Sequence, residues 1–95
     1  MKLHEKNVEA MLVRACNKKG FKCPKTEMIA RGFPDRMVFN TERGEIYYVE
    51  FKNETNYKRS NLQESWGTRI KVAGGKYFLL NGEEETRKFI QNYIL

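Results

Sequence analysis

Apolar residues recur at helical spacing near the start of the chain: Val8, Leu12 and Ala15 follow Glu5 at intervals of three or four, and Met11 and Cys16 widen the stripe. The pattern predicts a helix over residues 5 to 18. Lys18 and Lys19 then fall where a helix dipole favours cations, and Gly20 is placed to cap the end. FKCPK, residues 21 to 25, reads as a short edge strand broken at Pro24, and TEMIARGF reads as an irregular connection. From Gly32 to Lys52 the period drops to two. Met37, Val38 and Phe39 form one strand, Asn40 to Gly44 a turn, and EIYYVEFK a second strand. Ile46, Tyr48, Glu50 and Lys52 share one face of that strand, and Tyr47, Val49 and Phe51 share the other.

A polar stretch, NETNYKRS, separates this pair from a second helix that starts at Ser60 or Asn61 and runs to about Ala73. Leu62, Trp66, Ile70 and Ala73 form its apolar stripe, and Gln63 borders it. KYFLL is a third apolar strand, Asn81 and Gly82 turn the chain, and a last helix runs from Glu83 to about Tyr93. Its first turn carries three glutamates, favourable against the dipole. The expected order is α-β-β-β-α-β-α, an α/β domain with a small mixed sheet flanked by helices.

Ninety-five residues hold one core, so residues 1–95 are expected to form a single domain. Eighteen basic residues against 12 acidic give a formal charge of +6, which points to a polyanionic partner or an anionic surface. No apolar run approaches the roughly 20 residues that span a bilayer. The opening MKLHEKN lacks the apolar stretch of a signal peptide, so a cytoplasmic protein is expected. Cys16 and Cys23 match no zinc spacing. They read as two buried thiols in a reducing compartment, with a disulfide as the alternative.

The oddity is the end of the second strand. Strand interiors rarely hold charges unless these are paired or coordinated, yet Glu50 and Lys52 interrupt an oily segment. Asp35, at the head of the preceding strand, offers a second carboxylate. Two carboxylates with an intervening backbone carbonyl, that of Phe51, make an all-oxygen site suited to Mg²⁺ or Mn²⁺. Taken singly these residues have plainer readings: Glu50 and Lys52 as a cross-strand ion pair, Asp35 as a turn residue after Pro34.

Taken together, G-F-P-D-R (Gly32 to Arg36), V-E-F-K (Val49 to Lys52) and the helix bearing Gln63 and Trp66 resemble the VRR-NUC (virus-type replication-repair nuclease) family of the PD-(D/E)XK nuclease superfamily. The stand-alone phage and bacterial members are the nearest in pattern. The resemblance covers most of the chain. It departs at the turn N-T-E-R-G-E and in the loop after Lys52, which lacks the Gly and Pro frequent there. It implies a restriction-endonuclease-like core with Asp35 and Glu50 as metal ligands, Lys52 as the catalytic lysine and Gln63 as a helper. Glu5 matches the glutamate of the family's first helix, with Glu9 as the other possible alignment. Members of this type imply a homodimer acting on branched DNA, including four-way junctions, in phage or bacterial cells.

Lys22, Lys25, Arg31 and Arg36 flank Asp35 in sequence, and Lys58 and Arg59 precede the Gln63 helix. All six are candidate phosphate contacts, giving affinity without base readout. No helix-turn-helix, zinc-finger or RNP-like pattern is present, so shape recognition is expected over sequence specificity. The C-terminal FIQNYIL is richer in apolar residues than a small core needs and is the expected dimer surface. The sequence thus points to a metal-dependent DNA endonuclease. Its rivals are a non-cleaving nucleic-acid-binding module and a nicking or flap-type nuclease of the same superfamily.

Overall fold

The structure, a computed structural model, describes residues 5–52 and 61–95, with the side chains of Glu5 and Lys6 outside the description. Helix α1 (Glu5–Lys19) leads to strand β1 (Arg36–Asn40) and strand β2 (Glu45–Lys52). Helix α2 (Asn61–Val72), strand β3 (Lys76–Asn81) and helix α3 (Gly82–Phe89) follow. The three strands form one sheet in the order β1-β2-β3, antiparallel between β1 and β2 and parallel between β2 and β3. The sheet is therefore mixed, as expected.

The end of α1 sets the path of the next segment. The Phe21 N–H bonds back to the Cys16 carbonyl at 2.9 Å and the Gly20 N–H to Asn17 at 3.1 Å, the paired bonds of a Schellman cap. Phe21 is thereby directed into the core. Residues 21 to 25 then run antiparallel to β1, as the edge-strand reading expects, but only through isolated bridges, Lys22 to Phe39 and Lys25 to Arg36. Pro24 is the reason. It lacks an N–H, although its carbonyl still accepts from the Met37 N–H at 3.2 Å.

β2 divides the molecule into two layers of packing. Tyr47, Val49 and Phe51 are buried against Val8, Leu12 and Cys16 of α1 and Phe89 of α3, with Val38 of β1 and Leu80 of β3 beside them. The opposite face carries Tyr48 and Glu50, with Tyr77 of β3 level with Tyr48, and α2 covers it. Contact there is close: a Cβ on Gly67 would sit 2.8 Å from the Tyr77 ring. The stripe of α2 is displaced from the expected one. Gly67 and Ile70 are buried, whereas Leu62 is 45% exposed and Ala73 lies past the helix end.

At the far end of β2, Tyr47 is fully buried and packs edge-on against Phe78, Phe89 and Tyr93, with ring centroids 5.4 to 5.7 Å away. Asn40 closes this end. Its Oδ1 accepts from the N–H groups of Glu42 and Arg43, both at 3.0 Å, which shapes the β1–β2 turn. Its Nδ2 donates to the Tyr93 carbonyl at 2.7 Å. The last helix is α-helical only to Phe89 and widens to a π-helical turn over Ile90–Ile94. Phe89 and Ile94 are buried and Tyr93 and Ile90 are packed against the core, so most of the apolar C-terminus expected at a dimer surface is inside the domain.

Cys16 and Cys23 are both free thiols, the first buried and the second half-buried. Among the described residues, no helix is long and apolar enough to cross a membrane.

Candidate active site

The site lies where β2 outruns β1. The β1–β2 register pairs Arg36 with Val49, and one step further places Asp35 opposite Glu50. Here the ladder stops and a side chain replaces it: Asp35 Oδ2 accepts the Phe51 N–H at 2.8 Å. Asp35 is thus drawn over the end of β2 by a backbone bond, while Glu50 is 1% exposed on the face covered by α2. Lys52, half-buried, follows two positions on and shares that face.

The loop that delivers Asp35 is built, not slack. Thr26, itself buried, donates its N–H to the Asp35 carbonyl at 2.9 Å and its hydroxyl to the Pro34 carbonyl at 2.9 Å. Gly32 has φ of +82°, and a Cβ there would lie 2.6 Å from Leu62 Cβ and 3.0 Å from the Gln63 nitrogen. Only glycine accommodates both the positive φ and that approach. The G-F-P-D segment is therefore seated directly on the first turn of α2, with Gly32, three residues before Asp35, against the Gln63 backbone. Phe33 locks the seat, edge-on to Trp66 at 5.0 Å and to Tyr48 at 6.2 Å.

Electrostatics mark this corner as anion-rich. The Asp35 carboxyl is pushed up to about 7, chiefly by burial and further by the charges of Glu50, Glu9 and Glu27, against the lowering effect of the Phe51 N–H. Two crowded carboxylates, one wholly buried, supply oxygen ligands of the kind that fit a hard divalent cation, while the Phe51 N–H orients one of them. Among the described residues no group of three or more His, Cys, Asp or Glu is placed to hold an ion, so the carboxylate pair stands with the Phe51 backbone as its neighbour.

One expected phosphate contact points inward. Arg36, expected to face DNA, turns inward: its Nε is 2.7 Å from Glu9 Oε2 and its NH1 2.7 Å from the Cys23 carbonyl. It is a strut joining α1, the 21–25 segment and β1. Glu9, the alternative to Glu5, is thereby engaged. The Glu5 side chain, Lys58 and Arg59 fall outside the described residues. Lys22, Lys25 and Arg31 are exposed. Sequence reasoning missed Tyr77, whose hydroxyl is 3.5 Å from Glu50 Oε1. The β2–β3 register that places it there has no local signal in KYFLLN.

The fold and this corner define a small α/β domain with two carboxylates and a lysine at the end of a central strand. No protein-family model and no curated protein sequence matches the chain. In structure it is similar to a solved "VRR_NUC domain", with 27% identity and a TM-score of 0.79 over 94% of this chain and 96% of that one. It is also similar to a "VRR_NUC domain protein", with 17% identity and a TM-score of 0.74 over 99% of this chain and 90% of that one. The second likeness shows the shared fold. The first is a likeness to a VRR_NUC domain that runs nearly end to end in both chains.

Proposed function

We propose that the chain is a Mg²⁺- or Mn²⁺-dependent deoxyribonuclease of the PD-(D/E)XK type, hydrolysing phosphodiester bonds in branched or otherwise structured DNA. The observation that carries this reading is the bond from the Phe51 N–H to Asp35 Oδ2 beside buried Glu50, with Lys52 two residues on. The likeness to a VRR_NUC domain supports it.

Asp35 and Glu50 would hold the ion, with the Phe51 carbonyl as a third oxygen and Glu5 as a candidate fourth. When bound, the ion would polarise a phosphate oxygen and lower the pKa of a coordinated water. The chain's own residues do the rest. The Phe51 N–H fixes the orientation of Asp35. Lys52, on the Glu50 face, supplies a cation to the attacking water or to the charge that develops on the phosphate. Gln63, held against Gly32, donates or accepts a hydrogen bond at the same place. A homodimer would double the site and the positive surface.

A labelled four-way junction, tested beside linear duplex, single strand and flap in Mg²⁺, Mn²⁺ and EDTA, decides the matter. Cleavage that needs the ion and drops by about 10²–10⁴ in Lys52→Ala is expected. Binding without cleavage of any substrate in Mn²⁺ would replace this reading with the non-cleaving binding module.

A further inference from the structure

The connection between Thr26 and Pro34 presents an anomaly. Met28 is 75% exposed and Ile29 60% exposed, side by side at the tip of a loop. Single exposed apolar residues are ordinary, but two adjacent ones on a braced tip are not. The brace is explicit. The Ile29 N–H bonds to the Thr26 carbonyl at 3.0 Å and the Phe33 N–H to the Ala30 carbonyl at 3.0 Å, two successive tight turns. Below them, buried Thr26 ties the loop to Pro34 and Asp35. The tip is thus held out into solvent by the same residues that position the candidate metal ligand.

Its surroundings narrow the occupant. Lys25 and Arg31 flank the tip in sequence and are exposed, with exposed Lys22 further back, opposite Phe39, and Glu27 is the one acidic residue between Thr26 and Pro34. Two copies of this chain meeting tip to tip would bring like charges together, and two side chains fall well short of the roughly 800 Å² per partner of a stable interface. A polyanion with apolar faces between its charges meets both features. Nucleic acid whose bases are not fully stacked is such a ligand: phosphates meet the cations, and Met and Ile are side chains that wedge between base steps. Continuity with the site argues the same way, since Gly32 in this loop packs on the turn of α2 that carries Gln63 and leaves Leu62 partly exposed.

We infer that Met28 and Ile29 form an apolar wedge that engages unstacked bases next to the scissile position, so that selection of interrupted duplexes is built into the loop carrying Asp35. The inference rests on the nuclease reading for the word scissile, but its binding component does not.

The test uses duplexes with 2-aminopurine at a single-base bulge or at a paired position, titrated in Ca²⁺, with cleavage in Mn²⁺ measured in parallel. Wild-type protein should raise the fluorescence of the bulged base and bind the bulged duplex in preference to the paired one. The exposed-site variant Met28→Ser/Ile29→Ser, checked for an unchanged melting temperature, should lose the fluorescence rise and about tenfold of the preference. Met28→Leu/Ile29→Leu should keep both. Equal discrimination by wild type and the serine variant would overturn the wedge while leaving wild-type cleavage to support the nuclease. A fluorescence rise lost in the serine variant, without cleavage by wild type, would support the wedge and remove the nuclease reading. Loss of self-association or of anionic-vesicle binding in the serine variant, with DNA discrimination unchanged, would also overturn it, assigning the tip to a second copy or to a membrane surface.

Discussion

Arg36 Nε lies 2.7 Å from Glu9 Oε2 across 27 residues of chain, joining the first helix to the first strand one position after Asp35. Both side chains are largely buried, at 16% and 20% exposure, so removing one leaves a charge without its counterion in a poorly solvated place. Arg36→Ala should therefore cost about 2–3 kcal/mol of stability in chemical denaturation. Lys25→Ala should cost almost nothing in the same assay yet weaken DNA binding and flatten its salt dependence. The opposite pairing of effects would return Arg36 to the DNA surface.

Asp35 gives the metal-free protein a distinctive pH dependence. Its carboxyl titrates near 7 in the fold against an ordinary 3.8, so the folded state holds the proton more tightly than the unfolded chain. The sign follows from linkage: this contribution is fully present below about pH 4 and is lost as pH rises through 7. In EDTA, Asp35→Asn should be more stable than wild type at pH 8, by on the order of 1–3 kcal/mol after allowance for partial exposure, and by less at pH 5. Thermal melts at the two values check it. A wild-type advantage at pH 8 in EDTA would show that the carboxylate is not under strain.

Gly32→Ala tests how the site is assembled. A Cβ there meets Leu62 at 2.6 Å in a backbone conformation with φ of +82°. The variant should lose about 2–4 kcal/mol, or stay folded with the first turn of α2 displaced from the loop that carries Asp35. Cleavage should fall more than DNA binding. A fully active and fully stable variant would mean that the loop does not seat on α2.

The two cysteines should behave unequally. The neighbouring thiols act on one another, with Cys16 held above its ordinary value by Cys23 and by burial, and Cys23 lowered by Cys16 and by nearby Arg36 against its own burial. One equivalent of a thiol reagent should react quickly with the native protein, at Cys23, and the second only in denaturant. Peptide mapping of the labelled site would show whether the order is reversed.

The sequence displays the parts of this site more readily than their assembly. Strand parity alone puts Glu50 and Lys52 on one face and Tyr47, Val49 and Phe51 on the other, because the period of two is a property of the backbone. Gly32 to Arg36 stands out as a motif, but its fit against Leu62 and Gln63 depends on where α2 docks. Arg36 reads as one more cation among several, since no local pattern distinguishes a guanidinium that faces Glu9 from one that faces solvent. Leu62 follows the helical period and is nonetheless exposed, because α2 buries Gly67 and Ile70, with Gly67 against Tyr77 of the sheet, while its first turn rests on a loop. The aromatic C-terminus suggests a surplus only until Tyr47 is known to need Phe78, Phe89 and Tyr93 around it.

Asn40 and Tyr47 secure one end of β2, and Asp35 gathers the charges at the other. Five steps of extended chain, about 17 Å, lead from Tyr47 to Lys52. That exceeds the range over which substitutions ordinarily influence one another. Changes at the charged end should therefore add to changes at the aromatic end without interaction. Such a strand can be retuned at one tip, for a different cation or a different ligand, while the other tip goes on guaranteeing that the chain folds.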